Sequence, residues 1–287
     1  MPFQPHRIDY SLKLQNIYTL FCRRYENGFS AVKDLHDFWE CVCIRSGTVR
    51  VVVDNRIYAL GASDLIVYDP LEIHTFTVTS AEGADIFIFS FDAEGEILNS
   101  LAGKAFHMSR RSADAAEDIL NTIYSSNKAH LDLSNIVSVP AEMTRDKEFC
   151  GAITARICLL LFSLAFDETT APLSNTASAV MFGELAACME KNLGRNIHIN
   201  ELARVCGISP TNIQKIFKKY TGMSAHKYYI ALKLNTAVRC LNNGMSVTDT
   251  AERLGFSSQA HFTKVFIKEI GRSPTAYLKT ARGSEGA

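Results

Sequence analysis

Between residues 17 and 92 the apolar positions fall in short runs rather than long stripes. The runs Ile17–Arg23, Phe38–Arg45, Thr48–Val53, Arg56–Leu60, Leu65–Tyr68, Ile73–Thr79 and Ile86–Phe91 are rich in Val, Ile, Phe and Tyr. Ser46-Gly47, Asp54-Asn55, Gly61-Ala62-Ser63-Asp64 and Asp69-Pro70 separate them. β-branched and aromatic side chains suit a pleated, half-buried surface, and turn residues at this spacing join hairpins. The pattern therefore predicts a small antiparallel β-barrel or sandwich.

The period changes further on. Ala116, Ile119, Leu120, Ile123 and Tyr124 recur at helical spacing, as do Cys150, Ile153, Ile157, Leu160, Leu161 and Leu164. These stripes predict helices over roughly 112–127 and 148–166. Phe149, Leu159, Phe162 and Phe166 widen the second stripe almost to a full circle. Core packing accounts for such a helix, and so does a face kept for a second subunit, which a charge at Leu160 or Leu164 would then disturb. Periodicity fades at Asp167–Thr176, where Pro, Ser and Thr collect as in a short linker. Expected boundaries are 1–168 for the first domain, 169–177 for the linker and 178–282 for a helical second domain.

Within that second domain one arrangement occurs twice. Ile199–Cys206 reads as a short helix, Gly207-Ile208-Ser209 as a turn and Pro210–Tyr220 as a second helix. Ala203 is small where the helices must cross, Gly207 allows positive φ, and Ser209-Pro210 makes a cap followed by a first-turn proline. Leu202, Ile208, Ile213, Ile216 and Phe217 are set to fill the shared core. The copy is Val247–Leu254, Gly255-Phe256-Ser257 and Ser258–Ile270, with Ala251 and Gly255 again four apart. Two helix-turn-helix units follow. One helix, Ala225 to about Leu241, joins them; at ~1.5 Å per residue it spans roughly 25 Å, a strut suited to the ~34 Å repeat of the major groove.

Charge agrees with that division. The whole chain is neutral, yet residues 1–179 carry 15 basic against 23 acidic side chains, while residues 180–282 carry 15 against 6. Only the basic part gains from releasing counterions off phosphate. The eight cysteines contain no C-x-x-C pair and sit among apolar neighbours, as small buried thiols do. Ile157–Phe166, the longest apolar stretch, is about half a membrane span, so a cytoplasmic protein without membrane association is expected.

The run Asp249-Thr-Ala-Glu-Arg-Leu-Gly-Phe-Ser-Ser-Gln-Ala-His-Phe-Thr-Lys-Val-Phe, followed by Gly271-Arg-Ser-Pro-Thr-Ala-Tyr, resembles the C-terminal signature of the AraC/XylS-type regulators over about residues 178–281. The resemblance implies base reading by Thr211, Gln214 and Lys215 in the first unit and by Gln259, Ala260, His261 and Lys264 in the second. Gln pairs with adenine, Lys with guanine or phosphate, and Thr meets the thymine methyl. Lys218 is assigned to DNA as a phosphate contact, a role open also to Lys219, Lys227 and Lys268, which ordinary solvated charge explains as well. His261 is either a base contact or a packed turn residue. His198 departs from the family, which more often has Ser or Thr as that cap.

His36-Asp-Phe-Trp-Glu40 with Gly47, and Gly61-x-x-Asp-Leu-Ile-Val-Tyr-Asp-Pro-x-Glu-Ile-His74, resemble the two motifs of the cupin-like effector domain of such regulators. His36, Phe38 and Glu40 share strand parity and so one face. With His74, Phe76 and Ile88 they form the candidate effector site. Enzymatic cupins bind a metal there, but Asp34 replaces their first histidine, so a polar effector pocket is preferred, with no cofactor and no metal assigned. The fold expected is thus two-domain α+β: a cupin-like barrel with accessory helices, then an all-α double helix-turn-helix domain with its linker helix. The function expected is a non-enzymatic, homodimeric transcription regulator. Its partners are double-stranded promoter DNA, RNA polymerase and a small polar metabolite, with sugars suggested by family habit. The alternative is a metal-dependent sensor or cupin enzyme fused to a DNA-binding domain.

Overall fold

The computed structural model describes residues 12–31, 36, 38–70, 72–126, 145–173 and 177–283, with side chains to residue 278. Asp34 lies outside them. All the expected strands form: β1 (Lys13–Tyr25), β2 (Trp39–Ser46), β3 (Val49–Val53), β4 (Arg56–Leu60), β5 (Asp64–Tyr68), β6 (His74–Val78) and β7 (Ala84–Glu94). Two further strands, β8 (Lys104–His107) and β9 (Glu168–Thr170), join them, the second from within the stretch read as linker. These elements are four and three residues long, too short for an alternation to show.

Pairing is antiparallel throughout, in two sheets ordered β1-β7-β2-β5-β8-β9 and β4-β3-β6. Their inner faces meet in one core of Val42, Ile44, Ile66, Tyr68, Ile86 and Ile88 against Val49, Val51, Val53, Tyr58, Phe76 and Val78. The larger sheet is covered on its outer face as well. Trp39, Cys41, Cys43, Leu65, Val67, Phe87, Phe89 and Phe91 pack there against helices α1 (Glu96–Leu101), α2 (Arg110–Ser126) and α3 (Lys147–Leu164). Burial on both faces explains why β2, β5 and β7 read as continuous apolar runs rather than alternations.

The α3 stripe points inward: Leu160 and Leu164 are both fully buried. That corrects the expectation that a charge at either would probe a subunit interface, since it would instead enter the core. The apolar side chains left outside are Leu159, 52% exposed, and Phe166, 86% exposed, with Phe162 half-buried between them.

The helical part comprises α4 (Ala177–Glu190), α5 (Ile199–Cys206), α6 (Pro210–Thr221), α7 (Ala225–Asn242), α8 (Val247–Arg253), α9 (Gln259–Ile270) and α10 (Pro274–Gly283). It has two cores, and α7 serves both. Tyr228, Tyr229, Ala231 and Leu232 belong to the first with Phe182, Leu202, Ile213 and Phe217. Leu234, Ala237, Val238 and Leu241 belong to the second with Ala251, Phe262 and Phe266. The outer face of the small sheet supplies Val52, Ile57 and Ile73 to the first of these cores.

All eight cysteines are free thiols; Cys41, Cys43 and Cys240 are buried and the other five only partly so. Burial pushes the Cys43 thiol up to about 12. No helix among the described residues is long and apolar enough to cross a membrane.

Candidate DNA interface and effector site

Each reading helix is fixed by its turn. Gly207 ends α5 at φ 67°, and its N–H donates to the Ala203 carbonyl. Ser209 then caps α6 by accepting from the Asn212 amide at 3.2 Å. In the second unit Gly255 has φ 62°, and Ser258 caps α9 by accepting from His261 N at 3.1 Å. Ser224 and Ser246 cap α7 and α8 in the same manner. The exception is His198, whose side chain makes no capping bond for α5, matching its departure from the family pattern.

Thr211 and Lys215 stand exposed on α6, and Gln259, Ala260, His261 and Lys264 are exposed on α9. Several are already engaged. Gln214 is half-buried, and its Oε1 accepts from the Ala225 amide at 3.2 Å, which ties α6 to the start of α7. Because a bidentate contact to adenine uses both ends of the amide, Gln214 would have to break this bond to make one. Gln259 Oε1 accepts from Thr248 Oγ1 at 2.8 Å, but both side chains lie at the surface. His261 Nδ1 lies 3.1 Å from Ser257 Oγ, with the ring edge-on to Phe256. Lys218 Nζ donates to the Gly222 carbonyl at 2.9 Å, capping the end of its own helix.

At one end of the β-domain four expected residues come together. Glu40 lies on the same face of β2 as Val42 and Ile44, which belong to the inner core, and His74 shares its face of β6 with Phe76 and Val78. His74 Nε2 is 3.3 Å from Glu40 Oε1, and His36 Nε2 is 3.8 Å from Glu40 Oε2. The imidazoles are held from behind: Nδ1 of His36 contacts the Phe38 carbonyl at 2.9 Å, and Nδ1 of His74 the Glu72 carbonyl at 2.8 Å. Phe38 stacks on His36 and on Tyr18, while His74 stacks on Tyr68. His36 and Phe38 precede β2, so strand parity describes Glu40 but not them. Phe76 packs with Tyr25 and Phe29, and Ile88 opposite Val42; both are core residues. Burial alone would disfavour charge on His74, but the bond to Glu40, its charge and the Glu72 carbonyl outweigh this and raise the imidazole pKa.

Two family models match this chain: the AraC-like ligand binding domain over residues 21–134 and the helix-turn-helix domain over residues 202–280. The probable transcription factor PqrA of Proteus vulgaris is 36% identical over 92 residues, which are 31% of this chain and 75% of that protein. The chain belongs to the AraC family of transcription regulators. The Msm operon regulatory protein of Streptococcus mutans extends the likeness to 88% of both chains, at 21% identity over 262 residues. The crystal structure of ToxT from Vibrio cholerae aligns over 93% of this chain and 98% of its own, with 12% identity and a TM-score of 0.38. This AraC-family regulator thus joins an N-terminal ligand-binding domain to a DNA-binding helix-turn-helix domain, and its regulation is effector-controlled.

The contact between those domains was not legible as a pattern. The Asp54-Asn55 turn between β3 and β4 sits on α7, where Tyr228 Oη donates to the Asp54 carbonyl at 2.8 Å. The backbone N–H of Leu173 donates to the Ile57 carbonyl at 2.5 Å, and the Arg50 guanidinium lies over the Tyr220 ring. Asp54 is a left-handed turn residue at φ 46°, a conformation that Asp tolerates. Its side chain accepts from Ile73 N, one residue before His74 in β6, at 3.3 Å. Burial lifts the Glu72 carboxyl to about 7 although Arg56 pairs with it at 2.8 Å.

Proposed function

We propose that a small polar metabolite, of the sugar class, binds at His36, Phe38, Glu40 and His74 and that the Asp54 turn relays its presence to the reading helices. The observation that carries this is the continuity from His74 through Ile73 and Asp54 to Tyr228 on α7. A ligand that shifts β6 acts on the same short segment that packs Ile73 and Val52 into the first helix-turn-helix core. Promoter DNA is read through Thr211, Lys215, Gln259, Ala260, His261 and Lys264. Asn212, exposed in the first turn of α6, joins them, and Lys218 positions phosphate. In this division the expected boundary at 168 moves to Thr170, the end of β9, and the helical domain starts with α4 at Ala177.

A second copy covers Leu159 and Phe162 on α3 together with Phe166 in the turn that follows it, and the dimer meets RNA polymerase at the promoter. The protein acts by binding rather than turnover, in keeping with the regulators it resembles. The test is a screen of the full-length protein against sugars and other polar metabolites, read as thermal stabilisation and repeated with Glu40→Gln and Tyr228→Phe. Glu40→Gln should abolish stabilisation by the active compound. Tyr228→Phe should keep that stabilisation but lose the compound's effect on promoter affinity. A compound that still alters promoter affinity in Tyr228→Phe would overturn the relay.

A further inference from the structure

We infer that a cavity between the outer face of the large sheet and α2 binds a small monocarboxylic acid with a compact apolar tail, held through Arg45. The cavity measures about 390 Å³, within the range of small-molecule sites. It lies across the sheet from Glu40, which faces inward. Phe87, Met108, Ala116 and Leu120 wall it, and the small side chains of Ala113 and Ala116 on α2 leave the room that larger ones would fill. Two irregularities of the backbone open onto it. The pairing of β2 with β7 slips between Ile44 and Ser46, which makes Arg45 the extra residue of a bulge, and a bulge re-aims its side chain. Ser63, in the turn before β5, is held at φ 70°, a left-handed conformation uncommon for serine.

The charges at the mouth decide which ligand fits. Asp85 is already answered: its Oδ2 accepts from Ser46 Oγ at 2.6 Å and from Arg24 Nη1 at 2.8 Å, and these partners hold its carboxyl below the usual range. Arg45 is answered poorly. Both oxygens of Glu117 crowd onto its single Nη2, at 3.0 and 3.1 Å, while Nη1 meets the Cys22 sulfur at 3.7 Å. A guanidinium holds a carboxylate best by two parallel N–H···O bonds, and sulfur is a weak acceptor, so the fork of Arg45 is only half used. Glu117 is no fixture either. Its side chain is 50% exposed, so it turns to water at little cost. The resident pair shows the chemistry that Arg45 takes here, and it yields to a carboxylate that fits the fork. Burial of an apolar tail against Phe87 and Met108, which Glu117 does not offer, tips the exchange. Because Glu117 belongs to α2, the exchange unties that helix from β2. The site therefore acts on the helical layer outside the sheet and is independent of the effector site at His36, Glu40 and His74.

The experiment titrates the full chain by calorimetry with hexanoate and hydrocinnamate, and with the alcohol and primary amine of each carbon skeleton. At least one of the acids should bind with a Kd of about 1 mM or tighter, and its alcohol and amine about tenfold more weakly or worse. Arg45→Met should weaken the acid about tenfold or more, and so should Ala113→Leu, which fills the cavity. Glu117→Gln should tighten it about threefold or more, because the competing charge is gone; a merely structural role for the Arg45 pair would not give that gain. Melting curves report folding, and if Arg45→Met does not fold, Ala113→Leu and Glu117→Gln decide. No saturable binding of either acid at about 10 mM, or an amine that binds as well as its acid, would overturn the site. So would unchanged affinity in folded Arg45→Met or Ala113→Leu, or no gain in Glu117→Gln.

Discussion

Lys233 offers a direct measure of how the two helix-turn-helix units are held together. It lies mid-way along α7 and is only 1% exposed. Its Nζ donates to Asn196 Oδ1 at 3.1 Å and to the Leu254 carbonyl at 2.8 Å, and lies 5.0 Å from the Tyr229 ring centroid and 5.3 Å from that of Phe256. Tyr229 belongs to the first core and Leu254 to the second, so one side chain touches both. Burial depresses its pKa to about 8 from 10.5. Below pH 8 the lysine is charged in folded and unfolded chains alike, and the fold bears the full cost of that buried charge. Between pH 8 and 10.5 the folded state has released its proton and the unfolded state has not, so stability rises with pH across this window. At 1.36 kcal/mol per unit the gain is about 3 kcal/mol. Cys43, raised to about 12, titrates in the opposite sense and obscures the effect in wild type alone. The difference between wild type and Lys233→Met isolates it. Urea unfolding at pH 7 and pH 10 should show the wild type gaining about 2–3 kcal/mol on the variant at the higher pH. A pH-independent difference would refute the depressed pKa.

The two turn glycines should respond differently to alanine. Gly207→Ala meets open space and should lose about 1 kcal/mol for its left-handed backbone, whereas a Cβ at Gly255 would stand 2.5 Å from the Gly194 carbonyl oxygen; Gly255→Ala should cost about 3 kcal/mol or more and weaken DNA binding, and equal losses in urea unfolding would refute the argument. For the dimer, Leu159→Glu with Phe166→Glu should shift sedimentation toward monomer without a large change in melting, whereas Leu160→Glu should unfold the N-terminal domain; a wild-type monomer at about 10 µM would remove the interface. On DNA, Gln259→Ala should cost about 1–3 kcal/mol at one or two base pairs, while Lys218→Ala should weaken all sequences alike and reduce the salt slope by about one unit, both read from a promoter library at two salt concentrations.

What could be read in the sequence was whatever repeats or is forced by backbone chemistry. The strands from Ile17 to Phe91 announced themselves because inter-strand turns need Gly, Asp and Asn, and the double motif because Ala and Gly recur four apart where helices cross. Strand parity placed Glu40 correctly because β2 begins at Trp39 and carries it inward. The same rule could not place His36 and Phe38, which lie before the strand and are positioned by stacking instead. Leu160 and Leu159 are neighbours of the same type, yet one faces the sheet and the other solvent. Periodicity fixes the angle between them but not which direction is inward, and on a helix apolar nearly all round only the packed partners decide that. Contacts between domains are less legible still. Tyr228, Asp54 and Lys233 look like ordinary helix and turn residues, and their importance lies in partners 174, 174 and 21 positions away. A buried lysine among apolar neighbours of α7 was nonetheless a signal open to use, because its charge must be met by acceptors from outside the helix. Here those are the Asn196 side chain, ahead of α5, and the Leu254 carbonyl, at the end of α8, so the residue that looked out of place is the one that joins the two reading units.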